Sequence, residues 1–228
     1  MRLNGFSVPV KRVTLFSGHY GSGKTNVAVN YAVKLKENGL DCAIIDLDIV
    51  NPYFRTKDSA ERLKRAGVET VFPAYANTNV DLPALPKEIY GAIADKSKRV
   101  VLDIGGDDRG ALALGRYAPD ILAEKDYEMI FVANFYRPLT RTANDALCVM
   151  REIESAGGIP FSAIINNSNV AEETRASDVL ATQAQAEKLS ELSGLPIIAT
   201  TVEEKIATDI ENAFLLRLED KYFEIKGE

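Results

Sequence analysis

Short apolar segments rich in β-branched residues alternate along this chain with longer segments whose apolar residues recur at helical spacing. Most of the short segments are too apolar to have one solvent-exposed face, since such a strand would alternate polar and apolar residues. Such strands are typical of a parallel sheet covered by helices on both faces. We therefore expect an α/β fold with a mostly parallel sheet. The predicted strands are 13–16, 42–47, 100–104, 129–133, 163–166 and 197–200.

The predicted helices fill the segments between these strands. The chain has 228 residues, of which 46% are hydrophobic, and this is sufficient for one sizeable core. No repeat, low-complexity tract or linker divides it, so we expect a single domain over 1–228. The last predicted helix carries more acidic than basic residues, and we expect it to pack on the core and not on a membrane. The helices are expected over 26–37, 58–65, 84–95, 110–124, 141–155, 173–193 and 203–217.

The overall charge and the cysteines narrow the classes of function. A formal net charge of −6 argues against nucleic-acid binding, which needs a surplus of Lys and Arg. Cys42 and Cys148 lie in no metal-binding pattern, and we expect both to be buried in a reducing environment. The N-terminus resembles no signal peptide, and no apolar segment approaches the ~20 residues of a membrane span. We therefore expect a cytoplasmic protein that contacts neither a membrane nor an iron–sulfur cluster.

The segment SGHYGSGKTN, residues 17–26, follows the first predicted strand and precedes the first predicted helix. It matches the pattern G-x-x-x-x-G-K-[ST], in which glycines allow successive backbone N–H groups to converge on a phosphate. The Lys24 ammonium, expected in a solvated cleft, would reach the β- and γ-phosphate oxygens, and the Thr25 hydroxyl would bind Mg²⁺. The alternative is a glycine-rich turn whose lysine only faces solvent. The candidate nucleotide-binding residues here are Gly18, His19, Tyr20, Gly21, Ser22, Gly23, Lys24, Thr25 and Asn26.

Carboxylates follow two of the predicted strands, at the edge where parallel α/β sheets bind ligands. Asp46 and Asp48 end the segment AIIDLD, and Asp103 ends RVVLD. We interpret Asp103 as the carboxylate associated with Mg²⁺, and Asp48 as the group that orients the attacking water or accepts its proton. Asp46 is a candidate for supporting the metal from outside its direct ligands. The alternative for each carboxylate is to cap a helix or to solvate a loop.

Together these motifs resemble the MinD/ParA branch of P-loop ATPases, the deviant-Walker-A group of the SIMIBI class and of the CobQ/CobB/MinD/ParA superfamily. The resemblance spans roughly residues 11–202. It implies a P-loop NTPase fold, ATP and Mg²⁺ as cofactors, and an ATP-dependent homodimer that sandwiches the nucleotide. By this resemblance Lys24 is the P-loop lysine and Thr25 the Mg²⁺ ligand. Asp48 then corresponds to the water-activating aspartate and Asp103 to the Walker B aspartate.

An asparagine after a late strand completes the resemblance. The family uses such a residue to recognise the adenine edge, and Asn166 in the segment AIINNSN falls at this position. Asn167 is an alternative for the same role. A simple turn after the strand is the other explanation, since asparagine is common in turns.

One position departs from the family pattern. The family loop reads GKGGxGK[ST], and its first lysine reaches the partner's phosphates, whereas this chain has His19 followed by Tyr20. Imidazole is shorter than a lysine side chain and is largely neutral near pH 7. His19 itself, Arg109 or Arg137 is the candidate replacement for the missing charge. We expect hydrolysis to be slow without a partner.

Three functions remain open at this point. The first is an ATP-dependent switch that acts on a protein partner. The second is an ATP-dependent ligase or kinase resembling dethiobiotin synthetase, with an acceptor pocket formed by the segment NPYFRTKD, residues 51–58. The third is a module that binds ATP without hydrolysing it.

Overall fold

A computed structural model of the chain describes residues 1–48, 59–71, 87–106, 108–206, 210 and 213–218. Within them lies one sheet of eight strands in the order β3-β2-β4-β1-β5-β6-β7-β8, and every neighbouring pair is parallel. The predicted α/β fold with a parallel sheet is therefore confirmed. The strands are β1 (Val13–Ser17), β2 (Cys42–Leu47), β3 (Glu69–Val71), β4 (Arg99–Ile104), β5 (Tyr127–Ala133), β6 (Ala163–Asn166), β7 (Ile197–Glu203) and β8 (Ala213–Leu216).

Helices cover both faces of this sheet, as its apolar strands require. Side chains of neighbouring strand residues point to opposite faces. Leu15 of β1 thus belongs to one apolar core, and Phe16 belongs to the other. The helices α1 and α2 pack on the Phe16 side, and α3, α4, α5, α6 and α8 on the Leu15 side. The helices are α1 (Lys24–Glu37), α2 (Ala60–Ala66), α3 (Lys87–Ala94), α4 (Asp108–Gly115), α5 (Ala118–Glu124), α6 (Ala143–Gly157), α7 (Ala176–Ala181) and α8 (Gln183–Ser193).

Two of the predicted helices are each divided in the structure. The segment predicted as 110–124 forms α4 and α5, and Pro119 lies in the first turn of α5, where its missing N–H costs no hydrogen bond. The segment predicted as 173–193 contains α7 and α8, which meet at Thr182. The Thr182 hydroxyl donates to the Val179 carbonyl at 2.8 Å, so this side chain turns inward at the junction.

The predicted C-terminal helix over 203–217 is wrong. Strand β7 extends to Glu203, and Ala213–Leu216 forms β8, parallel to β7. Apolar residues spaced four apart suggested a helix, but Phe214 and Leu216 are buried while Leu215 between them is exposed, which is strand periodicity. The expectation that this segment packs on the core holds for Phe214 and Leu216. The short strand β3 was not predicted, because three residues give too little pattern.

The two cysteines differ in burial. Cys42 is buried in β2 as predicted, whereas Cys148 is exposed on α6 and that prediction is wrong. The buried residues of α6 include Ala146 and Met150, so Cys148 falls on the outer face of the helix.

No helix in the described part of the chain has both the length and the apolar character needed to cross a membrane.

Candidate functional site

The glycine-rich segment forms the connection between β1 and α1, as predicted. Strand β1 ends at Ser17 and α1 begins at Lys24, with Gly23 in the left-handed conformation at φ 84°. No side chain caps the N-terminus of α1, and its first turn contains no acidic residue. The first N–H groups of this 14-residue helix and the positive end of its dipole are therefore suited to an anion. Asn26 lies half-buried in the first turn, and its carbonyl accepts a hydrogen bond from the Asn30 amide at 2.8 Å.

Neighbouring backbone leaves little space around this loop. A Cβ on Gly18 would lie 2.5 Å from the Val132 carbonyl oxygen of β5. A Cβ on Gly106, in the connection after β4, would collide with the backbone of residues 18–20. A Cβ on Gly23 would collide with the Asn167 amide. The loop is therefore held from three directions, and glycine is required at these contacts.

Lys24 is buried and paired, and not in the solvated cleft expected from the sequence. Its Nζ lies 3.4 Å from Oδ2 of Asp48, and both side chains are only 6% exposed. The helix α1 positions Lys24 and the end of β2 positions Asp48. The predicted P-loop lysine and the predicted water-activating aspartate thus form one ion pair.

Asp103 is the most deeply buried carboxylate of this group, with 0% exposure. The Thr25 hydroxyl donates to its Oδ2 at 2.6 Å, and Oδ1 has no hydrogen-bond partner among the described residues. Burial raises the pKa of Asp103 to about 7, although the Lys24 ammonium opposes this shift. The carboxylates of Asp46 and Asp48 raise the pKa further. An acid in this position would gain from an added cation.

Asp46 lies beside Asp103 and organises the end of β2. The two residues are direct partners in the β2–β4 register. Asp46 Oδ1 accepts a hydrogen bond from the Asp48 backbone N–H at 2.9 Å. This bond turns the chain after β2 and places Asp48 against Lys24. The role predicted for Asp46 near the metal remains a prediction.

The oxygen atoms of Thr25 and Asp103 fit Mg²⁺. A hydroxyl and a carboxylate are hard oxygen ligands, and Mg²⁺ bound with a nucleotide takes few protein ligands besides phosphate oxygens and water. The unpartnered Asp103 Oδ1 is the atom that such a cation would satisfy. In the described residues, no group of three or more His, Cys, Asp or Glu side chains is arranged to hold a metal by itself. The donor set therefore fits a nucleotide-associated cation better than a metal held by the protein alone.

The two predicted adenine-binding asparagines both bond within the protein. The Asn166 side chain is 0% exposed; its amide donates to the Thr182 hydroxyl at 3.1 Å and its carbonyl accepts from the Ser168 hydroxyl at 2.6 Å. The Asn167 amide donates to the Ser22 carbonyl of the loop at 2.6 Å. Its carbonyl oxygen accepts from the Thr201 hydroxyl. Asn167 thus tethers the glycine-rich loop to β6 and β7, while base recognition by Asn166 stays a prediction.

A small recess lies beside this tether, between the connections that follow β6 and β7. Apart from Asn167, the residues that line it could not be predicted from the sequence, because they come from distant parts of the chain and share only their place at strand ends. Polar and apolar side chains both line the recess, and they include Asn167, Asn169, Val179, Thr201, Glu203 and Leu216.

The candidates for the missing positive charge are placed differently. The half-buried His19 has its Nδ1 2.9 Å from the Tyr20 carbonyl oxygen, and Tyr20 is 57% exposed. The Arg137 Nε donates to the Gly21 carbonyl of the loop at 2.7 Å. The Arg109 side chain and the segment 51–58 lie outside the described residues. The loop residue Ser22 is buried, and its hydroxyl has no partner among the described residues.

No protein-family model matches the chain, and no curated protein matches it. Solved structures do match. The cell division protein FtsY from Thermotoga maritima is 17% identical, with a TM-score of 0.61 over 90% of this chain and 65% of that one. The signal recognition particle receptor FtsY from Elizabethkingia anophelis is 17% identical, with a TM-score of 0.59 over 88% of this chain and 62% of that one. A structure of that receptor in complex with GDP is 15% identical, with a TM-score of 0.52 over 87% of this chain and 60% of that one.

The chain thus spans 60–65% of the length of these three structures. At such identities the likeness establishes the fold alone, which is an α/β P-loop NTPase fold. It does not single out the MinD/ParA branch. The P-loop NTPase fold expected from the sequence is confirmed.

Proposed function

We propose that this chain binds ATP with Mg²⁺, hydrolyses it slowly, and acts as a nucleotide-dependent switch on a protein partner. One observation carries the proposal: Lys24, Thr25, Asp48 and Asp103 meet at the uncapped N-terminus of α1. The proposed site thereby combines a phosphate-binding loop, a cation-binding pair and a carboxylate near the expected site of hydrolysis.

Phosphate binding would require Lys24 to change partners. The ammonium that lies 3.4 Å from Asp48 would turn to the phosphate oxygens, and the loop amides and the helix dipole would hold the same anion. Asp48 would then be released from its ion pair beside the terminal phosphate. Because the Asp48 N–H donates to the Asp46 carboxylate, a change at Asp48 would be passed to the end of β2.

The remaining residues of the site would serve hydrolysis. Thr25 and Asp103 would hold Mg²⁺, which neutralises charge on the β- and γ-phosphate oxygens when it is bound. Asp48, once released, would orient the attacking water and accept its proton. For the Asp48→Asn variant we expect MgATP affinity within about 3-fold of wild type and turnover reduced about 100-fold, measured as phosphate release. Rapid turnover of the wild-type protein alone would contradict slow intrinsic hydrolysis.

The preference for ATP rests on the motifs that resemble the MinD/ParA branch, because the side-chain amides of Asn167 and Asn169 already bond within the protein. Guanine presents two neighbouring donors, which suit a carboxylate. We expect ATP to bind about 10-fold more tightly than GTP in paired calorimetric titrations.

GTP is the second candidate nucleotide. Glu203 supplies a carboxylate to the recess, 3.4 Å from the Lys205 ammonium, and a structurally similar FtsY is described in complex with GDP. If GTP binds more tightly than ATP and the Glu203→Gln variant reverses the order, guanine is the natural base. The same switch then operates with GTP.

A homodimer that forms with ATP is the proposed active state. Tyr20 and Leu139 are 57% and 61% exposed, and each lies within two residues of the contact between Gly21 and Arg137. Exposed apolar side chains beside a ligand site are typical of a surface that another protein covers. Light scattering should show a dimer with MgATP and a monomer with MgADP. A monomer that consumes ATP only with an added metabolite would favour the ligase or kinase alternative.

A further inference from the structure

Arg137 lies in a turn that is built to hold it against the phosphate loop. The buried Asn134, directly after β5, organises this turn: its carbonyl accepts from the Thr140 hydroxyl at 2.6 Å and from the Arg137 N–H at 3.2 Å. Its side-chain carbonyl accepts from the Tyr136 N–H at 3.0 Å. The turn therefore has a defined shape, and Arg137 leaves it with Nε donating to the Gly21 carbonyl at 2.7 Å.

The charged end of Arg137 is not used within the described part of the chain. The bond to Gly21 occupies Nε, and neither terminal nitrogen has an acceptor there. No carboxylate described by the structure lies within 4.0 Å of the guanidinium. A half-buried guanidinium with two unused NH₂ groups, beside a loop shaped for phosphate, retains four N–H donors for an anion.

The negative charges around the loop favour an additional cation beside it. Lys24 is one positive charge among the carboxylates of Asp46, Asp48 and Asp103. A bound triphosphate adds further negative charge, which a single Mg²⁺ balances only in part. Among the residues that the structure describes, two cations lie at the loop: Lys24, which belongs to it, and Arg137, which contacts it.

We infer that Arg137 is a phosphate-binding residue that acts within its own chain, and that it supplies the positive charge absent at His19. This inference rests on the proposed nucleotide binding. Nε keeps its bond to Gly21 while the terminal nitrogens turn to the phosphate oxygens. The planar guanidinium can make both contacts at once, whereas the single ammonium of a lysine would supply the charge without the full set of hydrogen bonds. The same bond orients the loop and couples it to the turn after β5.

The experiment compares Arg137→Gln with Arg137→Lys and with Arg141→Gln. Glutamine keeps a donor for the Gly21 carbonyl but removes the charge; lysine keeps the charge, and Arg141 is an exposed arginine of the same segment. Calorimetric titrations use MgATP and magnesium tripolyphosphate, the latter carrying phosphates without a base. For Arg137→Gln we expect both affinities to fall about 10- to 100-fold, with a weaker dependence of MgATP affinity on salt. Arg137→Lys recovers most of the loss, and Arg141→Gln matches wild type.

Two results would overturn the role of Arg137. One is wild-type affinity of Arg137→Gln for both ligands. The other is an equal loss in Arg137→Gln and Arg137→Lys with an unchanged salt dependence and a lowered Tm, which would mean that Arg137 only supports the loop. Failure of the wild-type protein to bind either ligand would instead remove the proposed function itself.

Discussion

Two charge clusters lie at opposite ends of the same sheet. The Arg12 cluster lies where the strands begin; it consists of the buried side chains of Arg12 and Glu124 and the exposed Lys96. Every nitrogen of the Arg12 guanidinium has an acceptor: Nε bonds Glu124, Nη1 the Asp95 carbonyl at 3.2 Å, and Nη2 the Ile93 carbonyl at 2.8 Å. The hydrogen bond from Arg12, together with Lys96, holds the pKa of Glu124 below its usual value.

The Lys24 cluster (Lys24, Thr25, Asp46, Asp48 and Asp103) lies where the strands end, and its balance is different. Asp103 has an unpartnered oxygen among the described residues, and burial moves its pKa upward to about 7. Among the described residues, Lys24 forms its ion pair with Asp48, at 3.4 Å. The hydrogen bond from Arg12 lowers the pKa of Glu124, whereas burial raises that of Asp103. The difference that bears on a ligand is the hydrogen bonding: every guanidinium nitrogen of Arg12 has an acceptor, and Asp103 Oδ1 has no partner among the described residues.

The largest expected effect is the loss of nucleotide binding in Lys24→Met. Removal of the ammonium should weaken MgATP binding about 1,000-fold, roughly 4 kcal/mol, because Lys24 is the cation in the first turn of α1 and Arg137 reaches the loop at Gly21 instead. It also leaves Asp48 buried without its cation, so the Tm should fall. The double variant Lys24→Met/Asp48→Asn should recover the Tm without recovering binding. Wild-type affinity of Lys24→Met would show that the loop lysine has no role.

Arg12→Met should have the opposite effect, with a large loss of stability and little change in MgATP affinity. Glu124, whose side chain is 9% exposed, would lose its arginine, and we expect the free energy of unfolding to fall by about 3 kcal/mol. The folded fraction should bind MgATP within about 2-fold of wild type. Denaturant unfolding and calorimetry measure the two effects, and Lys188→Met, in an exposed ion pair, serves as the control with little change in either. A large loss of affinity in Arg12→Met would mean that the two clusters are not independent.

The smallest expected effect concerns Glu128, the second residue of β5, near the Arg12 end of the sheet. Burial raises its pKa to about 7, partly opposed by Lys11. Because the folded-state pKa lies above the unfolded one, ionisation destabilises the fold increasingly from about pH 4.5 to 7 and fully above that. Glu128→Gln should therefore gain about 1 kcal/mol of unfolding free energy at pH 8 and almost none at pH 4, in urea titrations. A gain that is independent of pH would contradict the assignment to ionisation.

Local patterns were sufficient for much of the fold and for the glycine-rich end of the candidate site. The loop over residues 17–26 could be predicted because its glycines lie between an apolar strand and a helix. Asp46 and Asp103 could be placed together because parallel strands end at one edge. The strand β8 could not, because its apolar residues fit a helical spacing equally well.

The contacts that shape the loop could not be read from the sequence. Asn167 reaches Ser22 across 145 residues and Arg137 reaches Gly21 across 116, so both depend on the order of the strands in the sheet. The burial of Lys24 likewise depends on β2 lying beyond β4. Contacts between residues so far apart in the chain depend on the tertiary fold, and local periodicity does not predict them.

A calorimetric titration of the wild-type protein with MgATP, repeated on Lys24→Met, tests the nucleotide site most directly. We predict one saturable site per chain in the wild-type protein and no measurable binding in the variant. Absence of saturable binding of both MgATP and MgGTP to the folded wild-type protein would contradict the account.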